Sequence, residues 1–528
     1  MHRLWWISTF LWCLAGCGSH RPRDLGGAVD GGTGEGGDGD ALVVRVSSGL
    51  VRGLTVGDVR SFRGIPYAAP PVGARRFAPP APPAPWTGER DATEFGQPCP
   101  QPTSGGVVGD EDCLTLNVWT PVEVEAPLPV LVFLHGGDNY FGSATGRASD
   151  GLYDGAVMAA TGAVVVTFDY RLGALGFLAH AALAADGASG NWALHDQLAA
   201  LRWTVDNIAA FGGDPDRVAI FGQSAGSYDA CALVTSPLAD GLFRGAIMQS
   251  GPCWIPPVAD IERGIAETLA AVGCAAATDV AACLRAAPAA ALAAVPVSVS
   301  DEDGLHKFFY PVVDGRVLLE PPLAALEGGR FPAMPLVFGT NRDEMTTLMP
   351  TLHVTTAAGY HAVVVAVVGE DRAIAVENEY LSDALLSYDR ALFRMMGDHF
   401  FHCRVRRGAR AAADAHDAPV WRYSYEHTIG QGAIHGVSID LFGAGHGLEL
   451  LVLFRDHLDW WQPDAAEVEL SAAMQDAWRG LAADGTVGTG WPRYSSETDP
   501  YVVLDTPVSQ DAGDGTSHCD FWDEHDPM

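Results

Sequence analysis

A serine flanked by glycines is the clearest candidate for chemistry in this chain. Ser224 lies in the segment GQSAG, which follows the apolar run Val218–Phe221 and precedes a helix-like stretch. A tight strand-to-helix turn needs small residues around its nucleophile, because a β-carbon there would collide with neighbouring backbone. Such a turn projects the serine hydroxyl and presents the N–H of Ala225 at a helix N-terminus. The segment therefore predicts an acyl-accepting serine.

A serine hydroxyl becomes nucleophilic when a base takes its proton and a carboxylate orients that base. In folds with this turn the chain order is nucleophile, acid, histidine. Asp343 and Glu344 follow the apolar run Leu336–Gly339 and are the candidate acids. Among 17 histidines, His446 lies between two glycines ahead of an apolar helix, whereas His435 lies in a more polar setting. We predict His446 as the base.

The nucleophile needs a sheet to hold it, and the apolar pattern supplies one. Short apolar runs predict buried strands at Val130–Leu134, Ala163–Phe168, Val218–Phe221, Ala246–Gln249 and Leu336–Gly339. Apolar residues at three- and four-residue steps predict a helix over Trp192–Phe211. Alternating strands and helices indicate a doubly wound, mostly parallel α/β sheet. The alanine-rich stretches 255–333 and 351–415 are interpreted as helical insertions over the sheet's C-terminal edge.

Charge and composition exclude several partners and cofactors. The 528 residues include 32 basic and 65 acidic side chains, a net charge of −33, which argues against nucleic acid or an anionic membrane surface as partner. Lys307 is the only lysine, which we attribute to base composition in the coding sequence. No group of cysteines or histidines has metal-ligand spacing, so neither a metal nor a cofactor is predicted.

The N-terminus resembles a targeting segment. Basic residues precede the apolar run Leu4–Leu14, which is too short to span a bilayer and ends before Cys17. The sequence LAGC resembles a bacterial lipobox, so residues 1–17 are predicted to be a signal peptide with Cys17 lipidated; an ordinary secretory signal is the alternative. Residues 18–40 are predicted to be a Gly/Asp-rich flexible linker and 41–525 the catalytic domain. We expect an exported protein that meets the membrane only through this lipid anchor.

Further blocks of sequence carry a family resemblance. Besides the segment Phe211–Gly226, the blocks are Phe62–Ala68, Pro70–Gly73, Glu111–Val118, Gly190-Asn191 with Asp196-Gln197, Pro311–Gly315 and Trp491–Tyr494. In this order they resemble the type-B carboxylesterase and cholinesterase family, over about residues 42–523. The resemblance implies the α/β-hydrolase fold and a serine carboxylesterase that forms an acyl-enzyme.

The resemblance also assigns the catalytic groups. It places Glu344, rather than Asp343, as the acid of a triad with Ser224 and His446. It implies that the backbone N–H groups of Gly137, Asp138 and Ala225 form the oxyanion hole.

Asp138 departs from the family, which has a third glycine at this position. Its carboxylate would oppose the developing oxyanion if it faced it, by several kcal/mol at low dielectric. We expect the side chain to turn outward; a neutral, protonated carboxyl is the alternative.

Other residues matched by the resemblance have supporting roles. Gln223 replaces the family's usual glutamate and favours the neutral imidazole of His446. Ser250 matches a serine that supports the acid by a hydrogen bond. Arg76 and Glu111 resemble a structural ion pair.

The cysteine content fits export. The resemblance implies the disulfides Cys99–Cys113, Cys274–Cys283 and Cys403–Cys519. Cys231 and Cys253 are left over, and their apolar settings suggest buried free thiols.

The substrate is constrained only loosely. The first disulfide loop, Pro100–Asp112, contains no aromatic residue to hold a choline cation, so choline esters are disfavoured. Small to medium uncharged carboxylic esters are expected. Two alternatives stay open: a catalytically impaired binding protein, and an amidase or carbamate hydrolase with the same triad. The sequence does not indicate an oligomeric state.

Overall fold

The computed structural model describes residues 42–145, 152–184, 189–301, 304–434, 437–455, 461–513, 515 and 517–525. The predicted signal peptide with Cys17, the linker 18–40 and His435 lie outside the described residues.

Within the described residues, eleven strands form one sheet in the order β20-β19-β16-β15-β12-β11-β9-β10-β8-β4-β3. The central strands from β10 to β19 pair in parallel, and the outer pairs are antiparallel. The strands are β1 Val43–Val46, β2 Gly49–Arg52, β3 Leu54–Val56, β4 Val59–Pro66, β5 Glu89–Asp91, β6 Gln101–Thr103, β7 Gly106–Val108, β8 Thr115–Pro121, β9 Leu128–Leu134, β10 Val164–Phe168, β11 Gly213–Gln223, β12 Gly245–Gln249, β13 Ser298–Asp301, β14 Gly304–Lys307, β15 Leu336–Asn341, β16 Val420–Tyr425, β17 Ala433–Ile434, β18 Val437–Ser438, β19 Pro500–Leu504 and β20 Ser509–Ala512.

Helices cover both faces of this sheet. The α-helices are α1 Ala156–Ala159, α2 Gly173–Phe177, α3 Trp192–Asn207, α4 Ala225–Val234, α5 Val258–Ala271, α6 Val280–Ala286, α7 Ala289–Ala293, α8 Pro322–Glu327, α9 Met345–Leu348, α10 Ala357–Val368, α11 Glu370–Glu379, α12 Leu381–Ala384, α13 Tyr388–Gly397, α14 Cys403–Ala415, α15 Leu448–Phe454, α16 Ala465–Asp484 and α17 Cys519–His525. Short 3₁₀ turns and one π-helical turn, Asp398–His402, complete the helical structure of the described residues. None of these helices is long and apolar enough to cross a membrane.

The core lies on both faces of the sheet because successive strand residues point to opposite sides. On β9, Val130 and Val132 join one buried cluster with residues of α3, whereas Leu131 and Phe133 join a second cluster with residues of α15 and α16. A strand buried on both faces reads as a continuous apolar run.

The predicted strands and the fold class are confirmed. The predicted helix over Trp192–Phe211 is α-helical to Asn207 and ends in a 3₁₀ turn. The insertion 351–415 is helical, as predicted. The insertion 255–333 is only partly so, because it also contains the hairpin β13–β14, whose Val299 lies opposite His306.

The described cysteines form four disulfides: Cys99–Cys113, Cys231–Cys253, Cys274–Cys283 and Cys403–Cys519. Three are the pairs that the resemblance implies. The interpretation of Cys231 and Cys253 as free thiols is wrong. Cys231 lies on α4 and Cys253 follows β12, and folding brings their Cα atoms to 5.4 Å. The bond ties the helix after Ser224 to the loop that enters the first insertion.

Candidate active site

Ser224 lies at the C-terminal end of β11, on a sharp turn into α4. Its backbone has φ 55° and ψ −124°, a strained conformation for a residue with a side chain. A β-carbon on Gly222 would lie 2.1 Å from the oxygen of Gly226, and one on Gly226 would lie 2.1 Å from the oxygen of Leu134. The backbone of this turn therefore requires both glycines, and Ala225 opens α4 directly behind the serine.

His446 and Glu344 form a buried pair. Nδ1 of His446 lies 2.5 Å from Oε2 of Glu344, and the two side chains are 6% and 0% exposed. The other oxygen of Glu344 accepts a hydrogen bond of 2.8 Å from the backbone of Asn341. Phe401 packs against the imidazole with 4.9 Å between ring centres. A carboxylate at Nδ1 keeps the proton there and leaves Nε2 as an acceptor.

Asp343, the other candidate acid, does not contact the imidazole. Its Oδ2 accepts hydrogen bonds from the backbone of Ala444, at 2.9 Å, and from the guanidinium of Arg342. Its own N–H donates to the oxygen of Ala444 at 3.0 Å. Asp343 therefore connects the loop that carries His446 (residues 443–447, here called the histidine loop) to the end of β15.

Gln223 connects the base to the nucleophile turn. Its Nε2 lies 3.1 Å from Nε2 of His446, so with the proton on Nδ1 the amide donates to the imidazole. The structure thus brings His446 against the residue that precedes Ser224. The hydrogen bond occupies the nitrogen that a serine hydroxyl would use.

The loop after β9 passes directly over the nucleophile turn. A β-carbon on Gly136 would lie 3.0 Å from Cβ of Ser224, and one on Gly137, which has φ 112°, would lie 2.0 Å from the oxygen of Phe141. Asp138 and Asn139 both have left-handed backbone conformations, with φ 56° and 55°. This strained loop, which contains the predicted donors Gly137 and Asp138, therefore contacts the nucleophile turn through Gly136.

The carboxylate of Asp138 turns toward the first insertion. Its Oδ1 lies 3.1 Å from Nζ of Lys307 and accepts a hydrogen bond from the hydroxyl of Tyr310. Among the described residues no hydrogen bond reaches its Oδ2, and the residue is 7% exposed. Burial lowers the pKa of Lys307, but the Asp138 carboxylate outweighs it and the pKa is raised overall. The two side chains therefore form an ion pair.

A second buried carboxylate supports the loop from below. Asp229 on α4 accepts hydrogen bonds from Asn139, at 3.1 Å, and from Gln197, at 2.5 Å. Burial raises the pKa of Asp229 to about 7 despite these donors. Nearby, burial lowers the pKa of His135 to about 4, so this histidine is neutral in the working range.

The acid also has a buried neighbour. Glu449 accepts hydrogen bonds from Asn341 at 2.5 Å and from Gln249 at 3.4 Å, and burial together with Glu344 raises its pKa to about 7. The hydrogen bond expected from Ser250 to the acid is not seen within the described part of the chain, where the Ser250 hydroxyl has no partner. Asn341 links the two glutamates instead.

The implied ion pair of Arg76 is present, with its Nε 2.7 Å from Oε1 of Glu111. The Arg76 guanidinium also donates a hydrogen bond to the backbone carbonyl of Arg285. The groups that the sequence interpretation missed are Lys307, Tyr310, Asp229 and Glu449. The only lysine of an acidic chain was an available signal, but nothing in the sequence paired it with Asp138. Among the described residues no cluster of three metal-ligating side chains occurs.

Comparisons with known proteins agree with this architecture. The model of the carboxylesterase family matches residues 40–522. The chain is similar to a fumonisin B1 esterase from Sphingopyxis macrogoltabida, with 37% identity over 87% of this chain and 85% of the relative. It is also similar to the para-nitrobenzyl esterase of Bacillus subtilis, with 36% identity over 88% and 95%. A solved structure of a PNB esterase superposes with a TM-score of 0.76 at 33% identity, covering 89% of this chain and 97% of that one.

Proposed function

The chain belongs to the carboxylesterase family, and we propose that it hydrolyses carboxylic esters with Ser224 as nucleophile, His446 as general base and Glu344 as the acid that orients it. One observation carries the proposal: the contact of 2.5 Å between His446 and Glu344, formed against the turn that holds Ser224. A carboxylate behind the imidazole stabilises the positive charge that appears when the serine proton is taken.

The reaction proceeds through an acyl-enzyme. Oγ of Ser224 attacks the ester carbonyl while its proton passes to Nε2 of His446. The tetrahedral oxyanion accepts hydrogen bonds from the N–H groups of Gly137, Asp138 and Ala225. The intermediate then collapses, the imidazolium protonates the departing alkoxide, and the acyl group remains on Ser224. Water, deprotonated by the same imidazole, releases the carboxylic acid and restores the serine.

Proton transfer requires a rearrangement at Gln223. Nε2 of His446 accepts a hydrogen bond from the Gln223 amide, and the serine hydroxyl has to replace this donor before it can be deprotonated. The amide of Gln223 is neutral, so it can move away from His446 without separating opposite charges. A glutamate at this position could not do so if the imidazole were protonated.

The expected substrates are small to medium uncharged carboxylic esters. The named relatives support ester chemistry, since one is called a fumonisin B1 esterase and another a para-nitrobenzyl esterase. A series of p-nitrophenyl esters of increasing acyl length measures the acyl preference. The matching p-nitroanilides measure whether amides are cleaved, and turnover of anilides at the ester rate would favour the amidase alternative.

A fluorophosphonate probe tests the mechanism directly. We expect one equivalent to bind covalently to Ser224, with the site identified by peptide mass spectrometry and with no labelling of the Ser224→Ala variant. Folded wild-type protein that stays unlabelled and hydrolyses none of the esters would contradict the proposal and favour the catalytically impaired binding protein.

We also propose that the protein is exported and lipid-anchored through Cys17. Four disulfides among the described residues favour an oxidising compartment. Metabolic labelling with a palmitate analogue is expected to tag the wild type and not a Cys17→Ala variant; a labelled variant would rule out this anchor.

A further inference from the structure

The loop after β9 that contains Gly136, Gly137 and Asp138, here called the oxyanion loop, carries a negative charge. The proposed catalysis requires a positive potential at this place. Asp138 supplies one of the proposed N–H donors, and its own carboxylate is buried with it, 7% exposed. Buried charges interact strongly because little water screens them. An unpaired carboxylate here would raise the energy of the tetrahedral intermediate.

The first insertion supplies a partner for this charge. Nζ of Lys307 lies 3.1 Å from the Asp138 carboxylate and 3.0 Å from the hydroxyl of Tyr310, which itself donates to Asp138. Lys307 ends the hairpin β13–β14, and its backbone N–H lies 3.3 Å from a carboxylate oxygen of Asp260 on α5. The lysine is therefore held on both its backbone and its side chain.

Tyr310 connects this cluster to the helix behind the nucleophile. Its side chain is 1% exposed, and its ring packs 5.2 Å from Tyr228 on α4 and 5.9 Å from Trp254. The insertion thus meets the oxyanion loop and α4 at the same point. Tyr310 therefore contacts Asp138 through its hydroxyl and Tyr228 of α4 through its ring.

We propose that Lys307 is a positioning residue for the reaction: it neutralises the Asp138 carboxylate and, with Tyr310, holds the oxyanion loop in its strained conformation. This inference rests on the proposed esterase function and adds the first insertion to its machinery. The position that the family fills with glycine is occupied here by an ion pair whose two members lie 169 residues apart.

A double-mutant cycle tests the proposal. Lys307→Met removes the charge and keeps the chain length, Asp138→Gly removes the carboxylate and keeps the N–H, and the third variant combines both. With p-nitrophenyl acetate at pH 8, we expect Lys307→Met to lower kcat at least 30-fold with KM changed less than threefold. The double variant should recover to within threefold of Asp138→Gly, and Lys307→Arg should stay within fivefold of the wild type.

The conservative variant separates a charge effect from general damage. Lys307→Arg keeps a positive charge opposite Asp138, whereas Lys307→Met removes it. A charge effect predicts that Lys307→Arg retains the activity that Lys307→Met loses, with the loss in Lys307→Met confined to kcat.

Three outcomes overturn the proposal. They are a Lys307→Met variant with kcat within threefold of the wild type, a double variant as impaired as Lys307→Met, and a gain above tenfold in Asp138→Gly, which would show an uncompensated carboxylate. If Lys307→Met does not fold, the double variant and Lys307→Arg carry the comparison.

Fluorophosphonate labelling of the wild type is run in parallel. An unlabelled wild type contradicts the esterase proposal. A labelled wild type whose kcat does not change when Lys307 is replaced contradicts only this inference.

Discussion

The two sides of the site hold their charges in different ways. On the acid–base side, the proposed acid Glu344 and base His446 match the family's motifs, and hydrogen bonds from Asn341 to Glu344 and to the backbone of Gly445 hold them. On the oxyanion side, Asp138 departs from the family, and its partner Lys307 comes from an insertion. The position of the acid–base pair depends on the loops that follow the sheet strands. The position of the charge that neutralises Asp138 depends instead on how the β13–β14 pair packs against the oxyanion loop. A departure from a motif is thus understood only with the contact that compensates it.

The largest expected effect comes from breaking the acid–base side. Glu344→Gln removes the charge that stabilises the imidazolium, so kcat/KM should fall by about 10³- to 10⁴-fold. The control is Asp343→Asn, which should lose stability but keep kcat/KM within tenfold because Asp343 does not touch His446. Ester hydrolysis and thermal melting measure both variants. Equal losses of activity in the two variants would contradict the assignment of Glu344, rather than Asp343, as the acid that orients His446.

Removal of the Cys231–Cys253 disulfide should destabilise the fold and spare the chemistry of both sides. The bond closes a span of 22 residues, and we expect a Cys231→Ala/Cys253→Ala variant to lose about 2–4 kcal/mol of unfolding free energy. Cys274→Ala/Cys283→Ala, which opens a span of 9 residues, should lose less. Urea unfolding measures the loss, and kcat at 25 °C should change less than threefold. A larger fall in kcat would give the bond a role in shaping the site.

Asp229 tests the support beneath the oxyanion side. Its pKa is raised from 3.8 to about 7, so its contribution to stability is present below pH 3.8 and is lost as the pH rises through 7. Asp229→Asn does not titrate. Its stability relative to the wild type should therefore improve between pH 5 and 8, by on the order of 1–2 kcal/mol. Exposed Asp216→Asn controls for removal of a charge, and parallel curves for all three proteins would contradict the expectation.

Gln223, where the two sides meet, gives the smallest expected effect. Gln223→Glu places a carboxylate against Nε2 of His446 and favours its protonated form, which cannot accept the serine proton. The acid limb of the kcat/KM profile should move up by about 0.5–1 pH unit, with little change above pH 8.5. An unmoved limb would show that the side chain leaves the imidazole in the working enzyme. Gln223→Met, uncharged and of similar size, is the control.

Much of the fold and of the acid–base side was predictable because the signals are local. Strands buried on both faces produce apolar runs, and Ser224 and His446 lie among glycines that their turns require. The first insertion was not predictable in the same way, since its alanine-rich composition indicates helix while Ser298–Asp301 and Gly304–Lys307 pair as antiparallel strands. The pairs Cys231–Cys253 and Lys307–Asp138 depend on the path of that insertion through space. Sequence spacing carries no information about such a path.

The single lysine has a practical consequence for anyone who handles this protein. Apart from the amino terminus, every reagent that targets amines has one target, the ammonium of Lys307 that pairs with Asp138, so coupling to activated beads or dyes reports on this ion pair. A lysine-specific protease likewise has one cleavage site, after Lys307 at the end of β14, and the ammonium of this lysine pairs with the Asp138 carboxylate. The rate of that single cut would record how often the insertion lifts away.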